Sequence, residues 1–316
     1  MTGGDVTQGR ASGKVILFGE HAVVYGRPAI AVPVTDVQAT ARVEDAAPGS
    51  GILIHAPDIG QTIDVATAPA DEPLSFTVRR TLARLGRAWQ DLDLSLTLVS
   101  SIPVASGLGS GAAVVTAIVR ALTAHLGCPL DKKEVSSIVY ETEKIFHGTP
   151  SGIDNTVIAF EQPVYFVKGR LIEPFAVRRP FWIAIADTGL PSLTRESVAD
   201  VRAAWQRDRQ AYEAIFDRVG AVADAARAAI EEGRIAALGA LMAENQRLLR
   251  RLDVSLPELE RLIEAAQRAG AQGAKLSGGG RGGNMIALIE PQQADAVRAA
   301  LQAAGAKRVI VTEVGK

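Results

Sequence analysis

The chain has 316 residues, 47% of them hydrophobic and 22% charged, which is the balance of a packed globular protein and not of a disordered one. Its 34 Lys and Arg against 35 Asp and Glu leave a formal charge of −1, so composition offers no basic footprint for nucleic acid or an anionic membrane. Cys128 is the single cysteine, which excludes an internal disulfide and a cysteine-built zinc site.

The length predicts two domains or one large α/β unit. The N-terminal MTGGDVTQGR lacks a signal-peptide core, and the most apolar stretch, 111–126, is cut by Arg120 and too short to span a bilayer. The expectation is a soluble cytoplasmic protein. In chain order, short apolar runs predict strands at 14–18, 28–34, 37–43, 52–55 and 62–65. Apolar residues at helical spacing predict a helix over 72–88, and alternation predicts a strand over 92–101. A buried helix is expected over 110–125. A second, at 131–145, carries a capping box in Asp131 and Glu134. Strands are expected at 156–160 and 163–168, and the composition changes near residue 180. The remainder reads as strand 182–187, helices 195–231, 234–251 and 256–269, strand 284–290, helix 292–304 and strand 307–313. This order of strands and helices predicts an antiparallel sheet with helices on one side.

Four clusters stand out. Ser106-Gly107-Leu108-Gly109-Ser110-Gly111 opens the buried helix, where free amides and the positive dipole end favour an anion such as phosphate. The same residues also suit a tight strand-to-helix connection. Lys275 to Gly283 holds a formal G-x-G-x-x-G match, but a strand follows it where a dinucleotide site needs a helix. So many glycines cost backbone entropy, which favours a loop hugging a ligand over a plain hairpin. Lys14, Glu20 and His21 flank the first strands, and taken alone they read as structural residues. Glu143 and Asp154 flank the Gly/Pro-rich turn HGTPSGIDN, an arrangement compatible with a metal ligand and a base, or with a turn cap and a solvated face. No Walker loop and no protein-kinase signature is present.

In this order the clusters resemble the small-molecule kinase superfamily named for galactose, homoserine, mevalonate and phosphomevalonate kinases. The segments SGKVILFGEHAVVYGRPAIA, IPVASGLGSGAAV and KLSGGGRGGNMIAL carry the likeness. The first of them and EKIFHGTPSGIDN are similar to the mevalonate-phosphorylating branch. The resemblance implies an α+β fold of two domains: an S5-like N-terminal domain over 1–176 and a ferredoxin-like C-terminal domain over 177–316, with the active site between them. It implies ATP as phosphoryl donor, Mg²⁺ as cofactor and mevalonate as acceptor in isoprenoid synthesis. Lys14, Ser100, Ala105, Ser106, Gly107, Leu108, Gly109, Ser110 and Gly111 would then bind ATP, and Glu143 and Ser110 the metal. Asp154 would act as base with Lys14 beside it. Glu20, His21, Asp154, Thr188 and Arg195 would line the substrate side, and Ser277, Gly278, Gly279 and Gly280 would complete the cleft.

Three positions depart from the family pattern. Gly111 stands where a second serine usually helps hold Mg²⁺, Ser12 where proline is usual, and Arg281 where glycine is usual. At Arg281 both a phosphate contact and a solvent-facing side chain are compatible with the sequence. Alternatives are a sister kinase acting on phosphomevalonate or a related hydroxy acid, a decarboxylase of the same superfamily, and a non-catalytic ligand sensor. The last is disfavoured because Lys14 and Asp154 are both present. The Ala-rich helices would serve equally as a homodimer face or as plain core.

Overall fold

A computed structural model describes residues 6–103, 106–147, 150–192 and 194–315. The chain divides into two compact units, one of Met1–Gly13, Val37–Val104 and Gly109–Glu161, the other of Lys14–Asp36, Ala105–Leu108 and Gln162–Lys316. The strands β1 (Thr7–Phe18) and β2 (Ala29–Asp45) pair with each other, and each contributes residues to both units. Both are longer than their apolar runs suggest. The runs at 28–34 and 37–43 are one strand, because the exposed pair Thr35 and Asp36 interrupts the hydrophobicity without interrupting the backbone.

In the first unit, β3 (Ile52–Ala56) pairs antiparallel with β4 (Gln61–Asp64) and parallel with β5 (Leu94–Ser100), while β5 pairs antiparallel with β2 over 39–45. Helix α1 (Pro73–Arg84) starts where the sequence places it. The Glu72 carboxylate accepts from the Leu74 and Ser75 amides at 3.1 and 2.6 Å, and Pro73 occupies the first turn. Helix α2 (Ser110–His125) is apolar on nearly every side and buries ten residues. Helix α3 (Lys132–His147) begins with the expected reciprocal cap, Glu134 N–H to Asp131 at 2.8 Å and Asp131 N–H to Glu134 at 3.1 Å.

Residues 156–160 are helical and not a strand: they form α4 (Ile153–Phe160), packed on α2 and α3. The run TVIAF is apolar without alternation, a pattern that does not separate a buried helix from a buried strand. The start of the helix settles it, with Gly152 left-handed before the first turn and the Thr156 hydroxyl donating to the Gly152 carbonyl at 2.8 Å.

In the second unit, β6 (Val164–Phe166) joins the N-terminal part of β2 and the short β7 (Glu173–Pro174). A separate antiparallel sheet follows, built from β8 (Phe181–Asp187), β9 (Gly273–Ser277), β10 (Asn284–Ile289) and β11 (Arg308–Val314) in the order β11-β8-β10-β9. Its helices are α5 (Thr194–Arg207), α6 (Arg209–Glu232), α7 (Ala236–Arg251), α8 (Pro257–Arg268) and α9 (Ala294–Ala303). The long segment expected at 195–231 breaks at Asp208, whose carboxylate caps α6 through the Ala211 amide at 3.1 Å. Strand β9 carries no strand signal in the sequence, because its five residues include a glycine and a lysine. Among the described residues no helix is long and apolar enough to cross a membrane.

Candidate active site

The loop before α2 is held by its carbonyls. The Leu108 carbonyl accepts from the Lys14 amide at 2.9 Å, and the Ser106 carbonyl accepts from the Asn284 side-chain amide. Leu108 is buried and anchors the loop, while Gly107 and Gly109 take left-handed φ of +78° and +73°. Gly109 caps α2 and offers no side chain to its first amides. The first amides of a helix have no partner within it, and with the positive dipole end they favour negative charge. Ser110 and Gly111, both half-buried, form the first turn of α2. Ala105 lies outside the described residues.

A recess of about 330 Å³ opens beside this first turn, within the first unit. Its walls are mostly apolar and include Ile59, Leu74, Val99, Val114 and Phe146. Ile59, Val99 and Phe146 are unusually exposed for large hydrophobic residues, at 53%, 48% and 43%. Exposed apolar side chains gathered around one concavity mark a ligand surface. Polar groups sit at its edge: the Asp58 carboxylate accepts from the Ser100 amide at 2.7 Å, and Ser110 lies at the helix start. The loop sequence APDIG gives no hint of Asp58 and Ile59, which reach the recess only through the β3–β4 connection.

Glu143 on α3 is buried, with 4% exposure, and lies against the start of α2. A Cβ placed on Gly111 would meet a Glu143 carboxylate oxygen and the Phe146 ring, each at 3.7 Å. Asp154 occupies the first turn of α4 and is half-buried. Ser100, Gly109, Ser110, Gly111, Glu143 and Asp154 belong to the first unit. Lys14, Glu20, His21, Ser106, Gly107, Leu108, Thr188, Arg195 and 277–280 belong to the second.

In the second unit Lys14 is buried on β1, at 7% exposure. The Glu20 carboxylate is held by the Lys275 ammonium and by the Asn245 amide at 3.0 Å. Lys275 is fully buried beside the Phe18 ring and also donates to the Leu276 carbonyl. Burial lowers its pKa, opposed by the Glu20 charge. Removing one partner of such a buried pair costs about 3–5 kcal/mol, because the other charge is stranded. Glu20 stands out in the sequence beside His21, but nothing in the sequence pairs it with Lys275. Next to it, the His21 Nε2–H donates to the Gly279 carbonyl at 2.9 Å. Burial lowers the His21 pKa; the Gly279 bond raises it and the Arg281 charge lowers it further.

The glycine-rich loop is packed mostly against its own chain. A Cβ on Gly279 would lie 2.5 Å from the Thr194 hydroxyl oxygen, and one on Gly282 2.5 Å from the Pro191 carbonyl oxygen. One on Gly280 would fall on the Val254 carbonyl, whereas one on Gly278 would meet nothing within 4 Å among the described residues. Ser277 donates to the Ile16 carbonyl at 2.7 Å. The Thr188 hydroxyl donates to the Gly283 carbonyl at 2.9 Å, and Arg195 is exposed in the first turn of α5. Arg281 does not simply face solvent: its side chain is 23% exposed. Its guanidinium pairs with Asp200 and reaches the Asp253 carbonyl at 3.1 Å, which pins the loop to α5 and to the α7–α8 connection.

Comparison with known proteins supplies the family. The model of the GHMP kinase N-terminal domain matches residues 76–162, and that of the GHMP kinase C-terminal domain matches residues 226–307. Mevalonate kinases of Pyrococcus abyssi and Pyrococcus horikoshii are each 36% identical, over 97% and 93% of this chain and 95% and 92% of their own lengths. The crystal structure of L. major mevalonate kinase in complex with R-mevalonate superposes with a TM-score of 0.86 at 29% identity, covering 97% of this chain and 95% of that one. With both GHMP kinase domain models matched and relatives of this identity along nearly its whole length, the chain belongs to the mevalonate kinase family of the GHMP kinases.

Proposed function

We propose that this protein transfers the γ-phosphoryl group of ATP to the 5-hydroxyl of mevalonate, giving 5-phosphomevalonate and ADP in the cytoplasm. The observation that carries the reading is the near-full-length likeness to a kinase whose structure holds R-mevalonate. Phosphoryl transfer asks for positioning and charge neutralisation more than covalent chemistry. The loop 106–111 and the amides opening α2 suit the phosphates. The apolar recess beside them suits a planar base, with Asp58 and Ser100 at its edge.

The Glu143 carboxylate on α3, beside the first turn of α2, suits Mg²⁺. Glu143 and Ser110 would hold it, and bound there it neutralises phosphate charge. Among the described residues no group of three or more His, Cys, Asp or Glu could enclose a metal, and Mg²⁺ usually keeps waters and substrate phosphates beside one or two carboxylates. Asp154 takes or polarises the proton of the attacking hydroxyl, with Lys14 supplying positive charge. His21 and the substrate-side Thr188 and Arg195 complete the reading. Glu20 acts there through its buried pair with Lys275, as a support for the His21 segment.

The test is ADP release with Mg·ATP against mevalonate, phosphomevalonate, galactose and homoserine at matched concentration, in the wild type and in Asp154→Asn. Turnover with mevalonate alone is expected. The variant should lose roughly 10²–10⁴ in rate, the usual worth of a general base, while still binding nucleotide. Turnover with phosphomevalonate in place of mevalonate would overturn the substrate assignment, and near-normal turnover in the variant would remove Asp154 from the base role.

A further inference from the structure

We infer that Asn284 is a positioning residue that sets the phosphate loop for nucleotide binding, an inference that rests on reading 106–111 as that loop. Asn284 opens β10 and is buried, with 4% exposure. Its backbone is fixed on both sides, paired with Ser277 of β9 and Asp187 of β8. The carbonyl of the preceding Gly283 accepts from both the amide and the hydroxyl of Thr188, at 3.0 and 2.9 Å. From this anchored position the Asn284 side-chain amide donates to the Ser106 carbonyl.

The chemistry of the pair is directional. A carbonyl oxygen only accepts, so the site needs a neutral donor of this length. The same amide nitrogen lies 3.9 Å from where a Cβ of Gly107 would be, so it underlies the next residue as well. Together with the Lys14 amide on the Leu108 carbonyl, it ties two carbonyls that flank left-handed, exposed Gly107. With both neighbours tied, the backbone at Gly107 is ordered before a nucleotide arrives, which removes part of the ordering cost of binding. Asn284 therefore acts on nucleotide affinity and not on the acceptor.

The decisive variant is Asn284→Asp, which keeps the shape but turns an ionised carboxylate, a pure acceptor, toward the Ser106 carbonyl. At pH 8 the KM for ATP should rise about tenfold, the effect of leaving a buried acceptor unpaired. The KM for mevalonate and the kcat at saturating ATP should stay within about twofold of wild type. As pH falls and the introduced carboxyl takes up a proton, it becomes a donor, so the variant-to-wild-type ratio of KM for ATP should fall too. Loss of packing alone would not give that pH dependence. Asn284→Ala, with its melting temperature measured, is the second variant should the first not fold, and a several-fold rise in the KM for ATP is expected. ADP titration by calorimetry separates the two layers. A wild type that does not bind ADP overturns the reading of the loop, whereas equal ADP affinity in wild type and folded variants overturns the role of Asn284 alone.

Discussion

At Gly107, in the loop before α2, an added Cβ would find, among the described residues, only the Asn284 amide nitrogen, 3.9 Å away. At Gly279 and Gly282, in the loop before β10, the same atom would lie 2.5 Å from Thr194 and Pro191 oxygens. Both loops are rich in glycine and both use left-handed backbone. One is held by its carbonyls, while the other is filled at Gly279, Gly280 and Gly282 by Thr194, Val254 and Pro191. Glycine content therefore reports close backbone approach without saying whether the neighbour is a ligand or the chain itself. Gly278 is the exception in the second loop, with a φ of +86° and, among the described residues, nothing within 4 Å.

The largest effect expected from this contrast is at Gly280. Gly280→Ala should destabilise the protein by about 3–4 kcal/mol, the range of severe steric and backbone lesions. Gly278→Ala should cost only the left-handed penalty of about 1–2 kcal/mol. Chemical denaturation of both variants checks this, and equal losses would break the distinction between filled and open positions.

A smaller effect is expected on acidification. His21 holds the Gly279 carbonyl in its neutral form, and its folded pKa lies below the usual 6.5. Between those two values the unfolded chain binds the proton and the folded one does not. The His21 contribution is thus complete above about 6.5 and is lost as pH falls toward the folded value. Denaturation midpoints of wild type and His21→Gln across pH 5–8 should converge toward the acid end, and parallel curves would show that His21 does not titrate in this way.

The smallest change in stability is expected at Gly111, on the open side of the comparison. A Cβ there meets Glu143 and Phe146 at ordinary contact distance, 3.7 Å. Gly111→Ser should fold with a stability within about 1 kcal/mol of wild type, and its hydroxyl should lower the Mg²⁺ concentration needed for half-maximal rate. An unchanged metal titration would remove this position from the metal site.

Much of this organisation is legible in the sequence. Caps named their helices directly, as at Asp131 with Glu134, and the order of the clusters named the family. What escaped reading depends on tertiary neighbours. The helix at 153–160 has no amphipathic period because it is buried on nearly all sides. Strand β9 is short, and its lysine pairs with Glu20, 255 residues away. Glu20 was legible as a site residue but not as half of a buried ion pair, and Arg281 was legible as a departure but not as a partner of Asp200. The recess near Ser100 depends on a three-residue turn at Pro57–Ile59, which carries no motif.

The most direct test of the central claim is phosphorus NMR of the products formed from Mg·ATP and R-mevalonate by the wild-type protein. One new phosphomonoester resonance, coupled to the C5 methylene protons and matching ADP one to one, is the predicted result. ADP accompanied by inorganic phosphate, or ATP unchanged while the folded protein still binds ADP, would contradict it.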